Sequence, residues 1–212
     1  MDLISKEVLF IGEGILLTLQ LLIGGILIGL ILGTLASICR YSGKMKFFIE
    51  KVVSLLRGTP LLLQLSFIYF ATPGLLGIKL SVLQAGVITF GLNSSAYISE
   101  ILRAGIESIP PGQFEAARTL QIPKFYMWKD IILPQVIKNV LPALINEVIA
   151  LLKETALIST IGGMDIMRRS QAVAAEQFTY FLPLCIAGAY YYLLVFLLER
   201  LAQKLGKGAN HA

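Results

Sequence analysis

Four stretches of the chain carry no Asp, Glu, Lys or Arg: Ile15 to Ile38, Gly58 to Ile78, Leu80 to Ser99 and Phe178 to Leu198. The first is 24 residues long, about 36 Å of helix and enough to cross a hydrocarbon core of about 30 Å. A further apolar segment, residues 138–161, is interrupted by Glu147, Lys153 and Glu154. By itself it also fits a buried helix of a soluble protein. Its place between hydrophobic runs favours a spanning helix with its polar positions turned inward. The pattern predicts an all-α membrane protein of five transmembrane helices, one domain over residues 1–212, with this segment as span four. Between spans three and four lies a polar island, Ile109 to Gln135. It opens on Pro110-Pro111-Gly112, continues in a helix-forming run from Gln113 to Leu120, and stops at Pro123.

Composition agrees. Hydrophobic residues make up 56% and charged residues 15%, against about 25% charged in a soluble domain. The placement of Lys and Arg sets the orientation. Thirteen fall in the Arg40–Arg57 connection, the Arg103–Lys138 region and the tail, and four (Lys6, Lys79, Arg168 and Arg169) fall on the other side. The N-terminus is therefore expected outside, and the C-terminus and the short helix of the polar island in the cytoplasm. The same bias accounts for the net charge of +5 without nucleic acid. Span one is too long and too poorly flanked by basic residues for a cleavable signal peptide. Cys39 and Cys185 are isolated, so neither a disulfide nor a structural zinc site is expected. His211 sits in a Gly-rich tail expected to be disordered and is assigned no role. The chain has no phosphate-binding loop of the form GxxxxGK[ST], dinucleotide fingerprint, metal-ligand cluster or nucleophile–base pair. It is not expected to be an enzyme or to hold a cofactor, and any ATP hydrolysis must come from another subunit.

Polar groups inside spans are costly and usually functional. Glu100 and Arg103, three apart, are placed to pair with each other near the cytoplasmic end of span three. Asn93, Tyr97 and Glu100 share a helical face. Asn93 and Ser94 lie nearer mid-membrane, where solute contact and helix packing fit equally well. In span four Glu147 and Glu154 are seven residues apart on one face. Lys153 lies about 100° from Glu154 around the helix and need not pair with it. A carboxylate in that setting suits the ammonium or guanidinium group of a cationic solute, Glu154 more than Glu147. A salt bridge to another helix is the alternative. Gly25, Gly29 and Gly33 recur every four residues and read as a close-packing stripe. Tyr69 and Thr72, near the outer end of span two, fit a pathway lining or an interfacial anchor.

Glu115-Ala116-Ala117, followed sixteen residues after Ala117 by Leu133-Pro134, resembles the EAA loop of bacterial ABC importer permeases. Arg57-Gly58-Thr59-Pro60-Leu61-Leu62-Leu63-Gln64, Asn93-Ser94-Ser95-Ala96-Tyr97 with Glu100 and Arg103, and Leu151 to Leu157 resemble the polar amino acid permeases of the histidine/glutamine/arginine branch. The likeness covers nearly the whole chain. Three positions depart from the pattern: Gln121 stands where Gly is usual, which implies a less extreme turn or some strain, and in Lys153-Glu154-Thr155-Ala156 Glu154 and Ala156 stand for the Asp and Ser of Lys-Asp-Thr-Ser.

The resemblance implies a multi-pass protein of the bacterial plasma membrane. Its partners would be ABC ATPase subunits, a second permease chain (a copy or a similar permease), an extracytoplasmic amino-acid-binding protein and membrane lipid. Glu115, Ala116, Ala117 and Arg118 would form the coupling helix. By the same resemblance a solute site lies between spans two, three and four, at Thr72, Asn93, Ser94 and Glu154, with Tyr69 and Glu147 beside it. Glu154 favours a basic amino acid, with glutamine or glutamate as the alternative. A proton-coupled secondary transporter would work without an ATPase, but no inverted repeat is detectable. A scaffold recruiting a partner through the Glu115 loop leaves the intramembrane carboxylates without a purpose.

Overall fold

A computed structural model describes residues 3–43 and 45–209. Lys44, which contributes to the charge bias, and His211 lie outside them. Every regular element among the described residues is helical. In chain order they are α1 (Leu3–Gly12), α2 (Ile15–Tyr41), α3 (Lys46–Gly58), α4 (Leu61–Leu76), α5 (Val82–Glu107), α6 (Pro111–Thr119), α7 (Lys124–Ile161), α8 (Ile166–Gln177) and α9 (Phe181–Ala209).

Three rods are long and apolar enough to cross a membrane: Ile4–Tyr41, which joins α1 to α2, Lys124–Ile161 and Phe181–Lys204. A fourth arises if α3 and α4, bent by 102° at Thr59-Pro60, are taken together. At 26 residues, about 39 Å, α5 is long enough to span, but it is not among the helices apolar enough to do so by composition. Asn93, Ser94, Ser95 and Ser99 are all buried on it.

Local chemistry explains the breaks. Ser81 and Gln84 form a reciprocal capping box at the start of α5, with Gln84 N donating to Ser81 Oγ (3.2 Å) and Ser81 N to Gln84 Oε1 (2.9 Å). Asp165 caps α8 by accepting from Arg168 N at 2.8 Å. Burial pushes its carboxyl up from the usual carboxylate range, against these bonds. Wide π turns occupy Phe67–Ala71 in α4 and Met127–Ile132 in α7. Each contains the residue four before a proline, Pro73 or Pro134, where the ring displaces a carbonyl and the helix must widen or kink.

The glycine stripe packs α2 onto α5. A side-chain carbon at Gly29 would fall 3.0 Å from Ser94 Cβ, and one at Gly33 2.8 Å from the Ser95 carbonyl oxygen. Gly33→Ala is therefore expected to lower the melting temperature in detergent through overpacking of about 1–3 kcal/mol. Gly188→Ala, which meets nothing within 4 Å, is the control for helix propensity and is expected to hold or slightly raise the melting temperature.

Leu21, Leu65, Phe90, Leu151 and Ile158 form the main core, which joins α2, α4, α5 and α7. A second cluster, Ile109, Ala117, Met127, Ile132, Val136 and Val140, seats the polar island on α5 and α7. A third, Ile11, Ile166, Val173 and Ala187, ties α1 and α8 to α9.

Candidate functional site

The helix expected over Gln113–Leu120 forms as Pro111–Thr119, with Pro111 at a first-turn position that needs no N–H donor. Glu115, Ala116 and Arg118 are exposed, whereas Ala117 is 2% exposed and packs inward. The smallness of Ala117 thus serves the chain's own packing, while Ala116 leaves the outer face flat. Phe114 meets Trp128 edge-on at 6.1 Å, and Trp128 meets Tyr41 at 4.8 Å, so the helix is braced against the end of α2. Leu120 stands beside it 72% exposed.

The helix ends in a tight reversal. Ile122 N donates to Ala117 O at 3.0 Å and Gln121 takes φ +55°, so a left-handed glycine-type turn is made by glutamine. Gln121→Gly is expected to raise the melting temperature, since a left-handed non-glycine residue costs on the order of 1 kcal/mol. Thermal unfolding in detergent checks it.

Inside the bundle the structure brings together Ser94 of α5 and Glu147 of α7, whose side chains bond at 2.7 Å. Glu154, two turns further along α7, is partly buried and makes no hydrogen bond or ion pair among the described residues. Asn93 points elsewhere. Its Nδ2 donates to Leu56 O at 3.3 Å and to Gln64 Oε1 at 3.4 Å, which places it against the α3–α4 bend. Tyr69 packs partly buried against the main core, edge-on to Phe70 at 4.9 Å. Thr72 is partly exposed one turn on. The candidate positions thus divide into a carboxylate seam (Ser94, Glu147, Glu154), an elbow contact (Asn93) and the α4 wall (Tyr69, Thr72).

The expected Glu100–Arg103 pair forms at 2.9 Å and belongs to a larger cluster. Arg40 of α2 reaches Glu100 at 2.5 Å and Glu50 of α3 at 3.5 Å. Arg57 lies 3.6 Å from Glu100, and Arg103 pairs also with Glu107 at 2.5 Å. Sequence reading missed Arg40, Glu50 and Gln64. The place of Arg40, a basic residue in the last turn of an apolar helix, is the one sequence signal that points to it. Among the described residues no group of His, Cys, Asp and Glu could hold a metal ion.

A helical membrane bundle with carboxylates on an inner seam, and a short braced helix presented outside its spans, is the build of a transport subunit driven through contact with another protein. Residues 25–210 match the family model described as binding-protein-dependent transport system inner membrane component. The putative glutamine transport system permease protein GlnP of Rickettsia bellii (strain RML369-C) is 49% identical over 205 residues, covering 96% of this chain and 94% of that protein. The arginine transport system permease protein ArtQ of Bacillus subtilis (strain 168) is 45% identical, with 91% and 89% covered. A crystal structure of an amino acid ABC transporter with histidines superposes with a TM-score of 0.90 at 35% identity, covering 98% of each chain.

The chain belongs to the family of inner-membrane components of binding-protein-dependent transport systems, as a permease of the polar amino acid ABC importers. It is not itself the enzyme of the system: ATP is hydrolysed on a separate ATPase subunit.

Proposed function

We propose that this permease carries basic amino acids (arginine, lysine or histidine) along a path between α4, α5 and α7, with Glu154 receiving the solute's cationic group. The observation that carries the reading is the contrast between two carboxylates on one helix face. Glu147 is bonded by Ser94 at 2.7 Å, while Glu154 has no hydrogen-bond or ion-pair partner among the described residues. A carboxylate left without a partner in a span is costly, and a guanidinium or ammonium group would satisfy it. Thr72, Tyr69, Asn93 and Ser94 line or support the same path. Relatives named for arginine (45% identical) and for glutamine (49% identical, putative) are about equally similar, so the basic solute rests on Glu154 and glutamine is the second reading.

In this reading residues 1–212 form one transmembrane domain of five spans, α2, α4, α5, α7 and α9, with α5 as span three. The N-terminus faces outward, and α6, with Glu115, Ala116, Ala117 and Arg118, faces the ATPase in the cytoplasm. A second permease chain, identical or similar, completes the pathway, and an extracytoplasmic binding protein delivers the solute. Competition of labelled arginine uptake by lysine, histidine, glutamine and glutamate in proteoliposomes tests the substrate class. The basic amino acids are expected to compete strongly and glutamine weakly; the reverse ranking overturns the assignment.

A further inference from the structure

The face of α5 that carries Asn93, Tyr97 and Glu100 receives the α3–α4 elbow at three successive turns. At the bend, Asn93 donates to Leu56 O and to Gln64 Oε1 (3.3 and 3.4 Å), and Gln64 Nε2 closes back on Leu56 O at 2.7 Å and Thr59 Oγ1 at 2.9 Å. These amide bonds satisfy carbonyls freed where α3 stops, and they fix the 102° bend. One turn along, the Arg57 guanidinium carbon lies 5.2 Å from the centre of the Tyr97 ring. A turn further, Arg57 Nη1 lies 3.6 Å from Glu100 Oε2.

These contacts differ in strength. Glu100 is already bonded by Arg40 at 2.5 Å and Arg103 at 2.9 Å, so α2 and α5 are locked together without α3. Arg57 holds on by a cation–π contact and a long ion pair, and its side chain is 42% exposed. Exposed contacts of both kinds are individually weak. Arg57, Tyr97 and Glu100 also form one wall of an open cleft of about 600 Å³, faced by Asn139, Val140 and Ala143 of α7. Ala143, the last α7 residue on the cleft wall, is one turn before Glu147 on the same helix face.

We propose that the α3–α4 elbow gates this end of the solute path, and that Arg57, seated on the Tyr97 ring beside Glu100, is its releasable latch. This rests on the permease reading above. Asn93 and Gln64 keep the bend while the latch opens, so α3 swings with its angle preserved. Arg57 is a positioning residue and does not bind the solute. Tyr97 contributes its ring face alone, because its hydroxyl has no hydrogen-bond partner among the described residues.

The test is passive efflux of labelled arginine from preloaded proteoliposomes without ATP, holding the complete transporter with its ATPase. Arg57→Ala and Tyr97→Ala are each expected to raise efflux roughly tenfold, the ratio set by losing about 1.4 kcal/mol from the closed state. Tyr97→Phe keeps the ring and is expected to stay at the wild-type rate. Unchanged efflux in Arg57→Ala, or equal leakage from Tyr97→Phe and Tyr97→Ala, overturns the latch. If Arg57→Ala does not fold, the Tyr97 pair decides alone. Wild-type ATP-driven uptake in the same vesicles reports on the permease reading separately, so its failure is distinct from failure of the latch.

Discussion

Glu154→Gln is expected to cut ATP-driven arginine uptake by roughly 10- to 100-fold while leaving glutamine uptake largely unchanged. The substitution keeps the shape and one carbonyl acceptor but removes the charge. A charge-assisted hydrogen bond contributes on the order of 1.5–3 kcal/mol, and each 1.4 kcal/mol is about a tenfold change. Glutamine, whose side chain carries no charge, loses no such term where Glu154 receives the side-chain cation. Glu147→Gln is expected to behave differently, since Ser94 Oγ, 2.7 Å away, still finds an acceptor in the amide. Its effect should fall on both solutes alike. Uptake rates of labelled arginine and glutamine in paired vesicle preparations decide the matter. Equal losses for the two solutes in Glu154→Gln would make Glu154 a structural residue.

Glu115→Lys should abolish ATP-dependent accumulation without disturbing the fold. Glu115 is exposed on α6 and its side chain makes no ion pair among the described residues, so the change should shift stability within about 0.5 kcal/mol. Across an interface the same reversal turns attraction into like-charge repulsion, which costs several kcal/mol. Melting temperature should therefore hold while uptake falls to background and the ATPase co-purifies poorly. Full uptake in the variant would remove α6 from the coupling path.

Much of the fold was legible because the signals are local. Runs without charge mark helices long enough to span, and the structure places helices over each. The boundaries moved by a few residues: the run from Gly58 begins its helix only at Leu61, after Pro60, and the run from Phe178 begins at Phe181, because Phe178 takes a left-handed angle of +54° as the cap of α8. Pro111, the alanines and Pro123 bounded α6 for reasons that involve only neighbouring residues. Glu100 and Arg103, one turn apart, are a local pair and formed as expected. The strained alternative at Gln121 also held, since the residue adopts the glycine-like angle.

What escaped were the contacts between distant parts of the chain. Nothing in the sequence announces that Arg40 and Glu100, 60 positions apart, or Ser94 and Glu147, 53 positions apart, meet. Asn93 was a candidate for solute contact because it sits mid-helix and polar, yet its direction depends on an elbow that packs α3 against α5. Helix α3 was itself hidden, because its charged and apolar residues read as a cytoplasmic connection. The pair α1 and α8 escaped for the same reason. Each is short, and they are held by one another and by α9, with Gln177 donating to the buried Glu7 carboxylate and Tyr190 to Val8 O at 2.9 Å.

The most direct test of the central claim, that this chain forms the path of an importer driven by a separate ATPase, is uptake in proteoliposomes. The permease would be reconstituted with its ATPase subunit and cognate binding protein, and labelled arginine followed with ATP, without ATP, and under an imposed pH gradient without the ATPase. Accumulation above the external concentration only when ATPase, ATP and binding protein are all present is the predicted result. Uptake driven by the pH gradient alone, or a bound ATPase with no uptake of any polar amino acid by an assembly holding its second permease chain, would contradict it.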